Sequence, residues 1–127
     1  MADLGCIKSF TSDGAIQPRR LVKFAGVDGR VAQASGAAGE RIAGVSGVIG
    51  TLAAGERVDV ALDDIQTIEA GAAFAAGSAL TANADGRAVA LAPAAGVLAI
   101  GAAVALEASF GEGQHVQVFV RPTPVVG

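Results

Sequence analysis

The sequence predicts an all-β fold: a small antiparallel β-barrel or sandwich made of two internally duplicated β units, with at most one short helix. Three observations carry this reading. "RVDVAL" (57–62) sets Val58, Val60 and Leu62 against Arg57, Asp59 and Ala61, and "HVQVFVR" (115–121) sets Val116, Val118 and Val120 against His115, Gln117, Phe119 and Arg121. Such period-2 alternation marks strands with one buried face. Asp-Gly dipeptides at 28–29 and 85–86 are strong hairpin signals, because glycine enters positive φ without strain. Finally, "DGRVAQAS" at 28–35 returns 57 positions later as "DGRAVALA" at 85–92.

Along the chain, residues 1–13 ("MADLGCIKSFTSD") mix polar and apolar residues and read as a first strand or an N-terminal arm. "RLVKF", "GRVAQA", "GRAVALA" and "AAVALEA" are short β-like runs bounded by glycine or turn dipeptides. "GVSGVIG" (44–50) reads as a flexible or closely packed loop. "AGAAFAAGSAL" (70–80) is the one place where alanine could seed a helical turn, against the cost of nearly 1 kcal/mol for each interior glycine. The tail 121–127 holds Pro122 and Pro124, which cannot donate ladder hydrogen bonds, so it is expected to leave the sheet and run extended.

Sliding the chain by 57 places Asp28-Gly29-Arg30 on Asp85-Gly86-Arg87. Sliding by 58 places Val31 on Val89, Ile42 on Ile100, Val48 on Leu106 and Leu52 on Phe110. The same shift brings Val58, Val60 and Leu62 onto Val116, Val118 and Val120, so one slip just after Arg30 reconciles the registers. The expected layout is a single β domain at 14–120 with pseudo-repeats at 14–62 and 71–120 sharing one core. Residues 1–13 are expected to have no counterpart in the second half.

Composition limits the function classes. Of 127 residues 52% are hydrophobic, yet there are five Phe, one Met and no Trp or Tyr, so Ala and Val must fill the core beside 18 Gly. Small side chains bury little apolar area at about 25 cal/mol per Å². A chain of this kind gains stability by associating with itself or with a large partner. A net charge of −3 argues against a nucleic-acid partner, which favours a basic face, and the missing Trp and Tyr remove stacking platforms. The N-terminus lacks the basic and apolar pattern of a signal peptide, and no 18-residue apolar stretch suggests a membrane span. The chain therefore reads as a soluble protein.

The residues carry no recognisable catalytic pattern. There is no Gly-Lys-Ser or Gly-Lys-Thr, and Gly44, Gly47 and Gly50 fall at period three without G-x-G-x-x-G spacing. Ser46 lacks the G-x-S-x-G elbow. His115 is the only histidine and Cys6 the only cysteine, too little for a zinc site or a disulfide. Asp59, Asp63 and Asp64 lack the spacing of a calcium loop and read as a solvent-facing residue followed by a turn. No enzyme activity, catalytic residue, cofactor or metal is expected. The densest positive cluster, Arg19, Arg20 and Lys23, is the candidate contact to an acidic protein surface, and Pro122 and Pro124 in the tail are the other candidate partner-binding residues.

"GERIAGVSGV", "ALTANADGRAVAL", "GVLAIGAAVALEAS" and the closing "GQHVQVFVRP" together resemble the bacteriophage capsid cement or decoration proteins. That family was long catalogued as a domain of unknown function and is sometimes mislabelled a RecA-like recombinase. The resemblance spans about residues 20–121 and is compositional and positional, and the recombinase label would need a nucleotide loop that the chain lacks. It implies a structural protein on the capsid exterior, assembled in the host cytoplasm. Such a protein binds the major capsid protein as a small homo-oligomer, dimer or trimer, and stabilises the head. The alternative is a small non-enzymatic β binding module, tail-associated or surface-recognising. Neither nucleic acid nor membrane is an expected partner.

Overall fold

The computed structural model describes residues 7–26, 29–36, 40–47, 50–62, 64–93 and 95–126. Among them it contains ten strands and no helix. These are β1 (Ile7–Ser12), β2 (Leu21–Phe24), β3 (Arg30–Gln33), β4 (Ile42–Ser46), β5 (Arg57–Ala61), β6 (Asp64–Glu69), β7 (Ala79–Ala82), β8 (Ala88–Ala90), β9 (Leu98–Ala105) and β10 (His115–Val126). The first five close a barrel in the order β1-β3-β2-β4-β5, and the last five form a sheet in the order β6-β10-β9-β7-β8. The fold class is the one the alternation and the turn dipeptides predict.

Both halves follow one wiring plan. In each, the first strand pairs antiparallel with the fifth, the fifth with the fourth, the fourth with the second, and the second with the third. Even the bridges outside the strands recur: Ile16 pairs with Thr51 as Phe74 pairs with Ser109, at an offset of 58. The halves part at closure. In the barrel β1 also pairs parallel with β3 through Thr11↔Arg30 and Ser12↔Val31, whereas in the sheet a single Ala70↔Ala88 bridge stands in that place.

The repeat differs from its expected bounds. Residues 1–13 do have a counterpart over Ile7–Ser12, because β1 pairs with β5 as β6 pairs with β10. The strand pattern therefore repeats over 7–61 and 64–126, not 14–62 and 71–120, and Asp64 opens β6 instead of closing a turn. Offsets also differ from the single slip expected after Arg30. The hairpin pairs Val22↔Gln33 and Leu80↔Ala90 give 58 on the second strand and 57 on the third, while Val22↔Gly44 and Leu80↔Ala103 give 59 on the fourth. Length changes fall in the loops, where insertions disturb no ladder.

The glycine run at 44–50 is partly strand, since Ile42–Ser46 form β4. At 70–80 the backbone makes bridges at Ala70 and Phe74 and a turn at 76–77 before entering β7, so no helical turn forms. The tail does not leave the sheet: Thr123–Val126 pair with Gly101–Leu98 of β9. Pro122 sits at the irregularity between Val120 and Thr123. Beyond Val120, β6 has ended and β10 is an edge on that side, which is where a strand tolerates proline.

Two apolar clusters hold the molecule. Phe10, Ile16, Val22, Val31, Val58 and Val60 fill the barrel. The inner face of the sheet, including Ile68, Leu80, Ala103, Val116 and Val118, closes over Leu21, Ala34 and Val45 of the barrel wall. The sheet is thus a second layer laid on the barrel, and a core of Val, Ala, Ile and Leu allows the layers to approach closely.

Candidate interaction surface

The seam between the two layers explains the first arginine cluster. Leu21 N–H donates to Gly86 O (2.8 Å) and Glu69 N–H donates to Arg19 O (2.9 Å), so β2 is stitched to the second half by its backbone. Arg20 follows the same path: its Nη1 donates to Asp85 O at 2.7 Å and its Nη2 lies 3.3 Å from Glu69 Oε2. Glu69 also binds Arg87, which reaches Glu112 at 2.6 Å, and Glu69 raises the Arg87 guanidinium above its ordinary pKa. Gly86 fits this junction because its φ is 75° and an added Cβ would lie 2.8 Å from Gln33 Cγ. The second Asp-Gly-Arg turn is therefore part of the seam.

Arg19, Arg20 and Lys23 consequently do not converge on one free surface. Arg20 is buried in the seam. Lys23 pairs with Glu40 at 3.1 Å and approaches Ser35. Arg19 holds φ at 60°, at the place where the second half has Gly77 with φ 88°. Burial pushes the Glu40 carboxyl up, but bonds from Ser35, Lys23 and Gly36 outweigh it and hold the group below the usual carboxylate range. Asp59 is likewise lowered by the Ser9 hydroxyl and then by Arg57, at an exposed position.

A groove of about 310 Å³ runs between the barrel and the outer end of the sheet. One wall is the start of β4, with Arg41, Ile42 and Gly44; the other carries Ile100 of β9 with Arg121 and Pro122 of β10. Leu62 and Val120 also line it, so its lining is largely apolar. Arg41 and Arg121 are both exposed, and neither forms an ion pair among the described residues. Arg121 lies over the Phe119 ring at 5.3 Å from its centroid. Pro122, one of the two proline candidates, belongs to this groove.

The groove opens onto an apolar ribbon. Past Val120 only β9 and β10 continue, and Leu98↔Val126 and Ile100↔Pro124 are cross-strand pairs. Directly paired side chains share a face. Leu98, Ile100 and Val126 are 62%, 58% and 65% exposed, and Pro124 is exposed beside them. Exposed apolar clusters of this kind mark contact surfaces. In the sequence the two prolines stand out, whereas nothing local marks Leu98, Ile100, Arg41 and Arg121 as a surface. Their significance comes from the pairing of β9 with the tail, which runs against the expectation that Pro122 and Pro124 take it out of the sheet.

Two further apolar residues stand on loop tips. Leu52 is 90% exposed and Phe110 87%, and the bridges place them at equivalent points of the two halves. Leu52 N–H donates to Glu56 Oε1 (2.8 Å) as Phe110 N–H donates to Gln114 Oε1 (2.9 Å).

The remaining chemical candidates are dispersed. Ser46 is buried, with its Oγ donating to Gln17 O at 2.7 Å, and His115 is exposed with Nε2 3.8 Å from Glu69 Oε1. Among the described residues no three His, Cys, Asp or Glu side chains come together. Cys6, Asp28 and Asp63 lie outside the described residues.

No family model matches the chain, and no curated protein matches it. Among solved structures, the N base of the head fiber protein gp8.5 of bacteriophage phi29 is similar, with a TM-score of 0.64 at 20% identity. The likeness covers 91% of this chain and 95% of that one, so the two share essentially a whole fold.

Proposed function

We propose that this chain is a structural protein of a bacteriophage virion. In this reading it binds the outer surface of the major capsid protein lattice and stabilises the head, with no enzymatic role. The observation that carries the proposal is the fold it shares, end to end, with the base of a phage head fiber. The exposed apolar ribbon and groove give such a protein a contact surface, and the sequence resemblance to capsid decoration proteins points the same way. Many copies on a lattice add weak contacts into firm attachment. The protein sits on the capsid exterior, is assembled in the host cytoplasm, and acts as a small homo-oligomer.

Sedimentation of the purified protein with expanded capsids, together with mass spectrometry of virions, tests the proposal. Co-pelleting and presence in virions are expected. Absence from both overturns the reading. Analytical ultracentrifugation tests the oligomer separately, and a stable monomer at micromolar concentration counts against self-association.

A further inference from the structure

Resting on the virion reading above, we propose that the groove between β4 and the β9–β10 ribbon takes an extended polypeptide segment of the capsid partner. That segment carries acidic side chains set between apolar ones. The shape comes first. The groove has a volume of about 310 Å³ and lies between the start of β4 and the β9–β10 ribbon, space for a few side chains of an extended segment. Its apolar lining, Ile42, Leu62, Ile100 and Val120, asks for apolar side chains.

Charge complementarity identifies the rest of the occupant. Arg41 stands on one wall and Arg121 on the other, both exposed and without an ion-pair partner among the described residues. Glu40, the one acid among the lining residues, is already taken by Lys23, Ser35 and Gly36, which leaves Arg41 and Arg121 as the charged groups offered to a guest. Two guanidinium groups flanking an apolar trough favour a carboxylate delivered by the guest. The binding mode follows from the prolines. Pro122 and Pro124 remove two N–H groups from the open edge of β10, so this edge is a poor template for a full added strand. Side-chain recognition by pocket and charge therefore dominates over main-chain pairing.

The experiment has two arms, each using the whole chain, with Arg41→Glu/Arg121→Glu and the milder Arg41→Gln/Arg121→Gln as variants and Arg57→Gln, an exposed position on β5, as a control away from the groove. Melting curves confirm that all are folded. In the first arm, co-sedimentation with expanded capsids is expected to weaken by about tenfold or more for the charge-reversed pair, less for the neutral pair, and not at all for the control. If wild-type protein binds capsids and the charge-reversed variant binds equally, the groove assignment is overturned while the virion reading stands. In the second arm, overlapping peptides from the phage structural proteins are arrayed and probed with wild-type and charge-reversed protein. Selection of acidic-apolar peptides by wild type alone is expected. No selection, preference for basic peptides, or equal binding by both proteins overturns the assignment, whatever the capsids do. A change of oligomeric state in the charge-reversed variant also overturns it, by assigning the groove to a second copy of the chain.

Discussion

The barrel and the sheet share a wiring plan and differ in how it ends. In the barrel, β1 reaches β3 and the ring closes; in the sheet, β6 and β8 meet only at Ala70↔Ala88 and the layer stays open across the barrel wall. One residue type shows what closure demands. Gly44 of β4 occupies the place that Ala103 holds in β9, opposite Val22 and Leu80 respectively. A Cβ added at Gly44 would stand 2.0 Å from Ala61 O, yet Ala103 carries its Cβ within the sheet core. Tight closure brings β4 against β5 and excludes even a methyl group, whereas the open sheet has room. At this place of the shared plan the closed barrel holds glycine and the open sheet holds alanine.

Substitutions at this pair give the largest expected effect. Gly44→Ala is expected to destabilise the protein by about 3 kcal/mol, because the clash is with backbone and cannot be relieved by a rotamer. Ala103→Gly should cost only about 1.5 kcal/mol, from one buried methyl and added backbone freedom. Urea denaturation measures both, and equal effects would break the contrast. Next comes the tie between the layers. Arg20→Ala leaves Glu69 with Arg87 and removes the bond to Asp85 O, for an expected loss of about 2 kcal/mol. Hydrogen exchange should show the seam amides Leu21 and Glu69 opening first.

Smaller effects sharpen the comparison. Thr51 Oγ1 accepts from Ile16 N–H and donates to Gly14 O, joining distant segments, while its counterpart Ser109 bonds only to Gly111, two residues away, donating to its O and accepting from its N–H. Thr51→Ala is expected to cost about 1.5 kcal/mol and Ser109→Ala about 0.5 kcal/mol. Acid acts on the barrel through Glu40. Its lowered pKa means it contributes stability above its unfolded value and loses that contribution as pH falls through the lower folded value. Across that window the Ser35 and Gly36 amides should lose protection before those of β9, as read by exchange at graded pH. The smallest effect is at the tips: Leu52→Ser and Phe110→Ser should each change stability by less than about 0.5 kcal/mol, since both side chains are already in water.

Strand identity was legible where alternation was strict. Val58 and Val60, like Val116 and Val118, are buried as their spacing predicts. The Asp-Gly-Arg pair marked matching hairpins, and Gly29 and Gly86 adopt φ of 79° and 75°. The first strand of each half was harder, because "IKSFTS" and "DIQTIE" share almost no residues and are equivalent only through their partners β5 and β10. The candidate surface was legible only in part. Arg20 looked like a surface cation, but a long-range carboxylate, Glu69, draws it into the seam. Arg41 and Arg121 stand 80 positions apart and become neighbours of one groove only through the sheet-on-barrel arrangement, which no local pattern encodes.

The pairing of β1 with β5 also sets a timetable. Ile7 is opposite Ala61, so the opening strand has no antiparallel partner until the chain has been synthesised through the fifth strand, and the second half repeats the delay with Asp64 opposite Val120. Contacts so distant along the chain slow folding and leave early segments waiting with unpaired backbone. A ribosome-bound chain halted before the fifth strand would therefore hold its first strand by the short parallel pairing of Thr11 and Ser12 with β3 alone, and vectorial synthesis would finish the barrel before the layer that covers it.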